Sequence, residues 1–104
     1  MMPKSIGYEK AFKFSIRIVR LYQHLCKDKM EYVLSKQILR SGTSIGANIK
    51  EALQAQSKRD YLSKMNVALE EASETEYWLD LLQSTDYIDD KMYSSIIFPL
   101  SSII

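Results

Sequence analysis

Three glycines, two prolines, one cysteine and one histidine in 104 residues exclude more than they suggest. The prolines stand at positions 3 and 99, so the long stretch between them is free of the strongest helix breaker. So few glycines, with no strict alternation of apolar and polar residues, argue against an all-β fold. The lone Cys26 cannot form an internal disulfide, which fits a reducing compartment. A zinc site needs several Cys or His ligands, and a di-iron bundle needs Glu-x-x-His pairs. His24 has Leu21 three residues before it and no histidine elsewhere to join it. No metal, no cofactor and no catalytic constellation is therefore expected, and the chain reads as a non-enzyme. No apolar run approaches the ~18–20 residues of a membrane span. The opening "MMPKSIGYEK" has no apolar stretch behind its charges, so no secretory signal is expected. The expectation is a single cytoplasmic domain over residues 1–104.

What is present is helical periodicity in four segments. In the first, about Tyr8 to Cys26, the residues Phe12, Ile16, Val19, Tyr22 and Cys26 step by three or four and predict one buried face. In the second, about Glu31 to Ala55, the face is Leu34, Ile38, Ile45, Ile49 and Ala52. The third follows Ser57, a candidate N-cap with Asp60 in the first turn, through Leu62, Met65, Leu69, Ala72, Glu76 and Leu79 to Ser84. The turn "STDYIDD" closes it, and Asp89 or Asp90 is placed to cap a fourth segment in which Met92, Ile96 and Leu100 share a face. Pro99 is expected to kink or end that helix. Links of a few residues force neighbours to run antiparallel. The predicted architecture is all-α: an up-down-up-down four-helix bundle with a short fourth helix.

The stretch "RSGTSIGANIKEA" (residues 40–52) has the composition of a loop, yet the isoleucine spacing runs through it. No strand precedes it and no G-x-x-x-x-G-K-[ST] pattern is present, so a phosphate-cradling loop is excluded. Gly42 and Gly46 lie one helical turn apart. They predict a close helix crossing at a propensity cost of ~1 kcal/mol each. Ser41, Ser44 and Asn48 border the apolar face and are expected to hydrogen-bond across to another helix.

The segment "QILRSGTSIGANIKEALQAQSKRDYLSKMNVALEEASETEYWLDLL" resembles the four-helix-bundle family. That family includes the proteins encoded in intervening sequences of bacterial large-subunit ribosomal RNA genes and the accessory variability proteins of diversity-generating retroelements. The match is carried by Arg40 to Ala52 in the second helix, Glu74 to Leu79 in the third and the F-x-x-x-I pattern of the first. The resemblance implies a bundle assembled into a ring-like homo-oligomer, typically a homopentamer, with a non-enzymatic, nucleic-acid-associated accessory role.

Charge distribution adds a reading of its own. Residues 1–50 carry ten Lys/Arg against three acids, +7, and residues 51–104 four against ten, −6, which together give the net +1. Lys10, Lys13, Arg17, Arg20, His24 and Lys27 form one stripe along the first helix. With so few carboxylates nearby, its self-repulsion points to a polyanionic partner, RNA or DNA, contacted through phosphates. The alternative is a protein-interaction module in which the basic first helix meets the acidic third helix of another subunit. Glu76 interrupts an apolar seam and is expected to pair with Arg40 or Gln37. Tyr61, Val67, Tyr77, Trp78 and Leu81 exceed one buried face, and Tyr61, Tyr77 and Trp78 are the candidates for a subunit interface.

Overall fold

The computed structural model describes residues 6–103; Pro3 and Ile104 fall outside them. Four helices follow one another: α1 (Ile6–Lys27), α2 (Leu34–Leu53), α3 (Lys58–Ser84) and α4 (Asp90–Ile103). No strand occurs among the described residues. Contacts join α1 to α2, α2 to α3, α3 to α4 and α4 back to α1, so the helices close into an antiparallel four-helix bundle with α1 and α3 on the diagonal. The bundle measures 43 × 21 × 20 Å. Its long axis is set by the 27 residues of α3, which span ~40 Å at 1.5 Å per residue.

The core is a column of apolar side chains. Ile38, Ile45, Ile49 and Ala52 of α2 are buried at the three-four spacing of the sequence, with Leu34 half-buried at the entrance. Ala72 and Leu79 of α3 and Ile96 and Leu100 of α4 meet them, each large side chain contributing ~1.5–3 kcal/mol. On α1 the expected face is wrong. Phe12 is 54% and Ile16 48% exposed, and Val19 is also open to solvent, while Tyr22 and Cys26 are half-buried. The buried residues are Ala11, Phe14, Ile18, Leu21 and Leu25. Two apolar arcs share this helix, both at helical spacing, and α2 and α4 close over the one that carries alanine and the γ-branched leucines.

The third-helix seam is buried only in part. Ala72 and Leu79 are inside, Met65 is half-buried, and Leu62 and Leu69 are 50% and 46% exposed. The cause is length. α4 has 14 residues, ~21 Å, against the ~40 Å of α3, so the N-terminal half of α3 runs past its neighbour.

Each chain reversal has an identifiable device. Glu31 is buried beside the start of α2. Its Oε1 accepts from the backbone N–H of Val33 (2.9 Å) and Leu34 (2.7 Å), and Oε2 from that of Ser35 (2.7 Å). The Ser35 hydroxyl donates back to the Glu31 carbonyl at 2.9 Å. Burial pushes the Glu31 carboxyl up, but the N–H groups of Leu34, Ser35 and Val33 together outweigh it and hold the pKa below its ordinary 4.5. Met30, with φ 54°, takes the left-handed conformation that turns the chain there. Ser57 caps α3 by accepting from the Asp60 N–H at 3.1 Å. Asp86, at φ 66°, follows the end of α3, and the Tyr87 N–H reaches back to the Leu82 carbonyl at 2.9 Å. Asp89 caps α4, its Oδ1 accepting from the Met92 N–H at 2.7 Å. Pro99 does not end α4, which continues to Ile103. It is exposed, and so is Ser95 four residues earlier, so the carbonyl left without a donor can be solvated.

Candidate nucleic-acid interface

Helix packing decides what α1 can present. Gly42 and Gly46 are buried against α1. A Cβ on Gly42 would lie 2.8 Å from Ile18 Cγ1 and 2.9 Å from Ile18 Cγ2, whereas one on Gly46 would meet Ala11 Cβ and Ser15 Oγ at 3.5 Å. α1 is thus pressed to α2 along Ala11 and Ile18, which turns the basic residues toward the α4 side and the Phe12–Ile16–Val19 arc outward. Lys10, Lys13, Arg17, Arg20 and Lys27 are all exposed. No ion pair among the described residues engages any of the five. His24 differs, being half-buried with Nδ1 2.8 Å from Asp28 Oδ2. Arg20 donates to Gln23 Oε1 at 3.1 Å, and Arg17 Nη2 donates across to Ser95 Oγ of α4 at 2.7 Å.

The expected pairing of Glu76 is overturned. Glu76 is exposed and faces α4, where its charge helps to raise the pKa of Tyr93. Arg40 is bound instead by Glu71, at 3.1 Å, and by Glu74, with the Trp78 indole N–H donating to the same Glu74 carboxylate at 3.0 Å. The Trp78 indole, followed by Arg40, holds the Glu74 carboxyl below its ordinary value, and Glu74 raises Arg40 in turn. Gln37 is exposed on α2. The polar residue inside the α2–α3 seam is Thr75, which donates to Ser41 Oγ at 2.9 Å. Register along the helices is as the sequence implied, Ser41 opposite Thr75 and Glu51 opposite Lys64 at 3.3 Å, but the face of α3 is not.

Ser41 alone of the three polar residues flanking Gly42 reaches a second helix. Ser44 Oγ donates to the Arg40 carbonyl at 2.6 Å and Asn48 Nδ2 to the Ser44 carbonyl at 2.8 Å, both within α2. Tyr77 is 58% exposed and packs edge-on against Trp78, ring centroids 5.0 Å apart, and Tyr61 is exposed near the start of α3. Tyr93 donates to Asp80 Oδ1 at 2.6 Å, a bond that pushes its pKa up to about 12. Among the described residues no group of three or more His, Cys, Asp or Glu is placed to hold a metal ion, and no helix is long and apolar enough to cross a membrane.

Fold and surface together define a small all-helical bundle with a basic arc whose five Lys and Arg residues make no ion pair among the described residues. A family model described as 23S rRNA-intervening sequence protein matches residues 4–104, and the chain belongs to that family. It is also similar to a protein of unknown function from the S23 ribosomal protein family of Bacteroides thetaiotaomicron, known from a crystal structure. Sequence identity is 54%, TM-score 0.93, and the match covers 94% of this chain and 91% of that one. No curated protein matches it significantly.

Proposed function

We propose that the chain is a non-enzymatic accessory protein that assembles into a cyclic homo-oligomer and binds RNA or DNA through the basic arc of α1. The observation that carries this reading is the arc itself: five exposed cations at three-, four- or seven-residue spacing, with no carboxylate partner among the described residues. Like charges at that spacing repel, and a phosphate backbone relieves the repulsion by displacing counterions. The acidic residues that might have neutralised α1 are on the opposite diagonal, where Glu71 and Glu74 are already bound by Arg40. Repetition of the arc around a ring multiplies its field. Apolar surface for assembly is available on α1 (Phe12, Ile16) and on α3 (Tyr61, Tyr77). The alternative, charges that serve assembly alone, predicts loss of the oligomer when Arg17 and Arg20 are reversed.

Binding of a structured RNA and of a DNA duplex, measured across a salt series, tests this. The expected result is an affinity that falls steeply with salt, and loss of binding in Arg17→Glu/Arg20→Glu with the oligomer mass unchanged. Absence of binding even at low salt, or dissociation of the oligomer in that variant, overturns it.

A further inference from the structure

The basic arc borders a groove whose other wall is α4. Two open depressions of about 340 Å³ each lie along it. One is lined by Lys10, Lys13 and Arg17 of α1 with Ser95, Pro99 and Ser102 of α4, the other by Arg17 with Asp89, Lys91, Met92 and Ser95. Arg17 and Ser95 belong to both, because the Arg17 guanidinium crosses the groove and donates from Nη2 to Ser95 Oγ at 2.7 Å. Ser95 in turn donates to the Met92 carbonyl at 2.7 Å, so its oxygen is fixed as an acceptor for Arg17. A guanidinium has five N–H donors. Ser95 uses one, and the rest of the fork is left for the two depressions on either side. Asp89, the one carboxylate lining the groove, is engaged as the cap of α4. Lys91 has no ion-pair partner among the described residues and adds a cation from the second wall.

We infer that one sugar-phosphate strand, free or as one strand of a duplex, runs lengthwise in this α1–α4 groove. Arg17 is its central phosphate contact, Lys10 and Lys13 hold it from α1, Lys91 from α4, and Ser95 is the positioning residue of Arg17. The inference rests on the nucleic-acid reading above and sharpens it: the contact surface is a groove with two walls, not the crest of α1. Steps of three and four residues space the α1 cations about 4.5–6 Å apart along the axis, the scale of successive phosphates in a strand. Serine hydroxyls and the apolar Pro99 on the α4 wall suit a sugar edge, which an acidic polypeptide does not offer. A guanidinium fork tethered in advance favours bidentate phosphate contact over a point charge.

The test uses the full chain and a labelled oligouridylate over a salt series. Lys91→Glu, at an exposed helix N-terminal position where a carboxylate is tolerated, is expected to weaken binding about tenfold and to lower the salt slope by about one. Ser95→Ala is expected to weaken it about three- to tenfold through loss of the Arg17 tether, and Ser95→Thr to restore it. Lys50→Glu, at a lysine that lies over the Tyr8 ring between α1 and α2 and lines neither depression of the groove, is expected to change affinity by no more than about twofold. Binding that Lys13→Glu weakens but Lys91→Glu and Ser95→Ala leave intact overturns the groove while the basic-arc reading stands. Equal losses in Lys91→Glu and Lys50→Glu overturn it in favour of diffuse attraction, and displacement by polyglutamate as readily as by unlabelled RNA overturns it in favour of an acidic protein partner. No binding by the unaltered chain overturns both readings.

Discussion

The two helical hairpins of this bundle are built to different standards of fit. In the first, α1 and α2 have 22 and 20 residues and stay in register along nearly their whole length. Glycines let the backbones approach, and a buried carboxylate closes the turn. In the second, α3 has 27 residues and α4 only 14, so the seam is sealed at one end and open at the other. Matched lengths turn an apolar stripe into core; unmatched lengths leave the same stripe as surface. The comparison also bears on the proposed function: the tightly fitted hairpin fixes the direction in which the basic arc of α1 points, and the short helix of the loose one forms the far wall of the groove beside it.

The comparison is broken most directly at Glu31. Three backbone N–H groups converge on this one buried carboxylate, and nothing else at the α1–α2 turn replaces it. Glu31→Ala is expected to lower unfolding free energy by about 2 kcal/mol, measured by urea denaturation. Because the folded pKa is depressed below 4.5, the stabilisation is fully present above that pH and is lost as pH falls through the folded value. The unaltered chain should therefore lose stability from about pH 4.5 downward, and Glu31→Gln should lose less over that window. Parallel acid titrations of the two proteins would contradict this.

The glycines sharpen the comparison inside one seam. At Gly42 a methyl group meets Ile18, fully buried and stiff at χ1, closer than 3.0 Å. Overpacking of that kind costs about 1–3 kcal/mol, offset by up to about 1 kcal/mol of helix propensity, so Gly42→Ala should destabilise by about 1–2 kcal/mol. At Gly46 the same methyl finds ordinary 3.5 Å contacts, and Gly46→Ala should stabilise by up to about 1 kcal/mol. Thermal melts of the two variants moving in the same direction would show that the crossing is not held by Gly42.

How much of this was legible in the sequence follows from how many stripes each helix carries. α2 has one, its isoleucines, and the whole buried face could be read from them. α1 has two, Ala11–Phe14–Ile18–Leu21–Leu25 and Phe12–Ile16–Val19, and at 100° per residue the basic arc lies about midway between them, so it favours neither. Only the glycines of α2, which leave room for Ile18 and Ala11 to approach the backbone, distinguish the two arcs, and that information sits on another helix. Glu76 was misplaced by one position: Thr75, its neighbour, is the buried polar residue, and period-3.6 reasoning does not resolve adjacent positions at the edge of a face. The Glu31 cap escapes the usual signature, Ser or Thr followed three residues later by Glu or Gln, because the chain uses Glu followed four residues later by Ser. The groove depended on where α4 lies against α1, and the Arg17–Ser95 bond that bridges it joins residues 78 positions apart.

The smallest expected effect bears on the open end of the second hairpin. Leu62 and Leu69 obey the same three-four spacing as Ala72 and Leu79, yet they face solvent because α4 does not extend over them. Substitution of an exposed residue changes stability by no more than about 0.5 kcal/mol. Burial against another subunit would instead make each leucine worth about 1.5–3 kcal/mol, felt only where subunits associate. Leu62→Gln/Leu69→Gln, which keeps helix propensity, should therefore leave the melting temperature nearly unchanged at dilutions where the chain is monomeric. Under the proposed assembly the unaltered protein gains stability as concentration rises, and the variant should gain less if this end of α3 lies in the interface. A melting temperature that is lowered equally at every concentration would mean that the two leucines are covered within the single chain, and the contrast between a sealed and an open hairpin would not hold in solution.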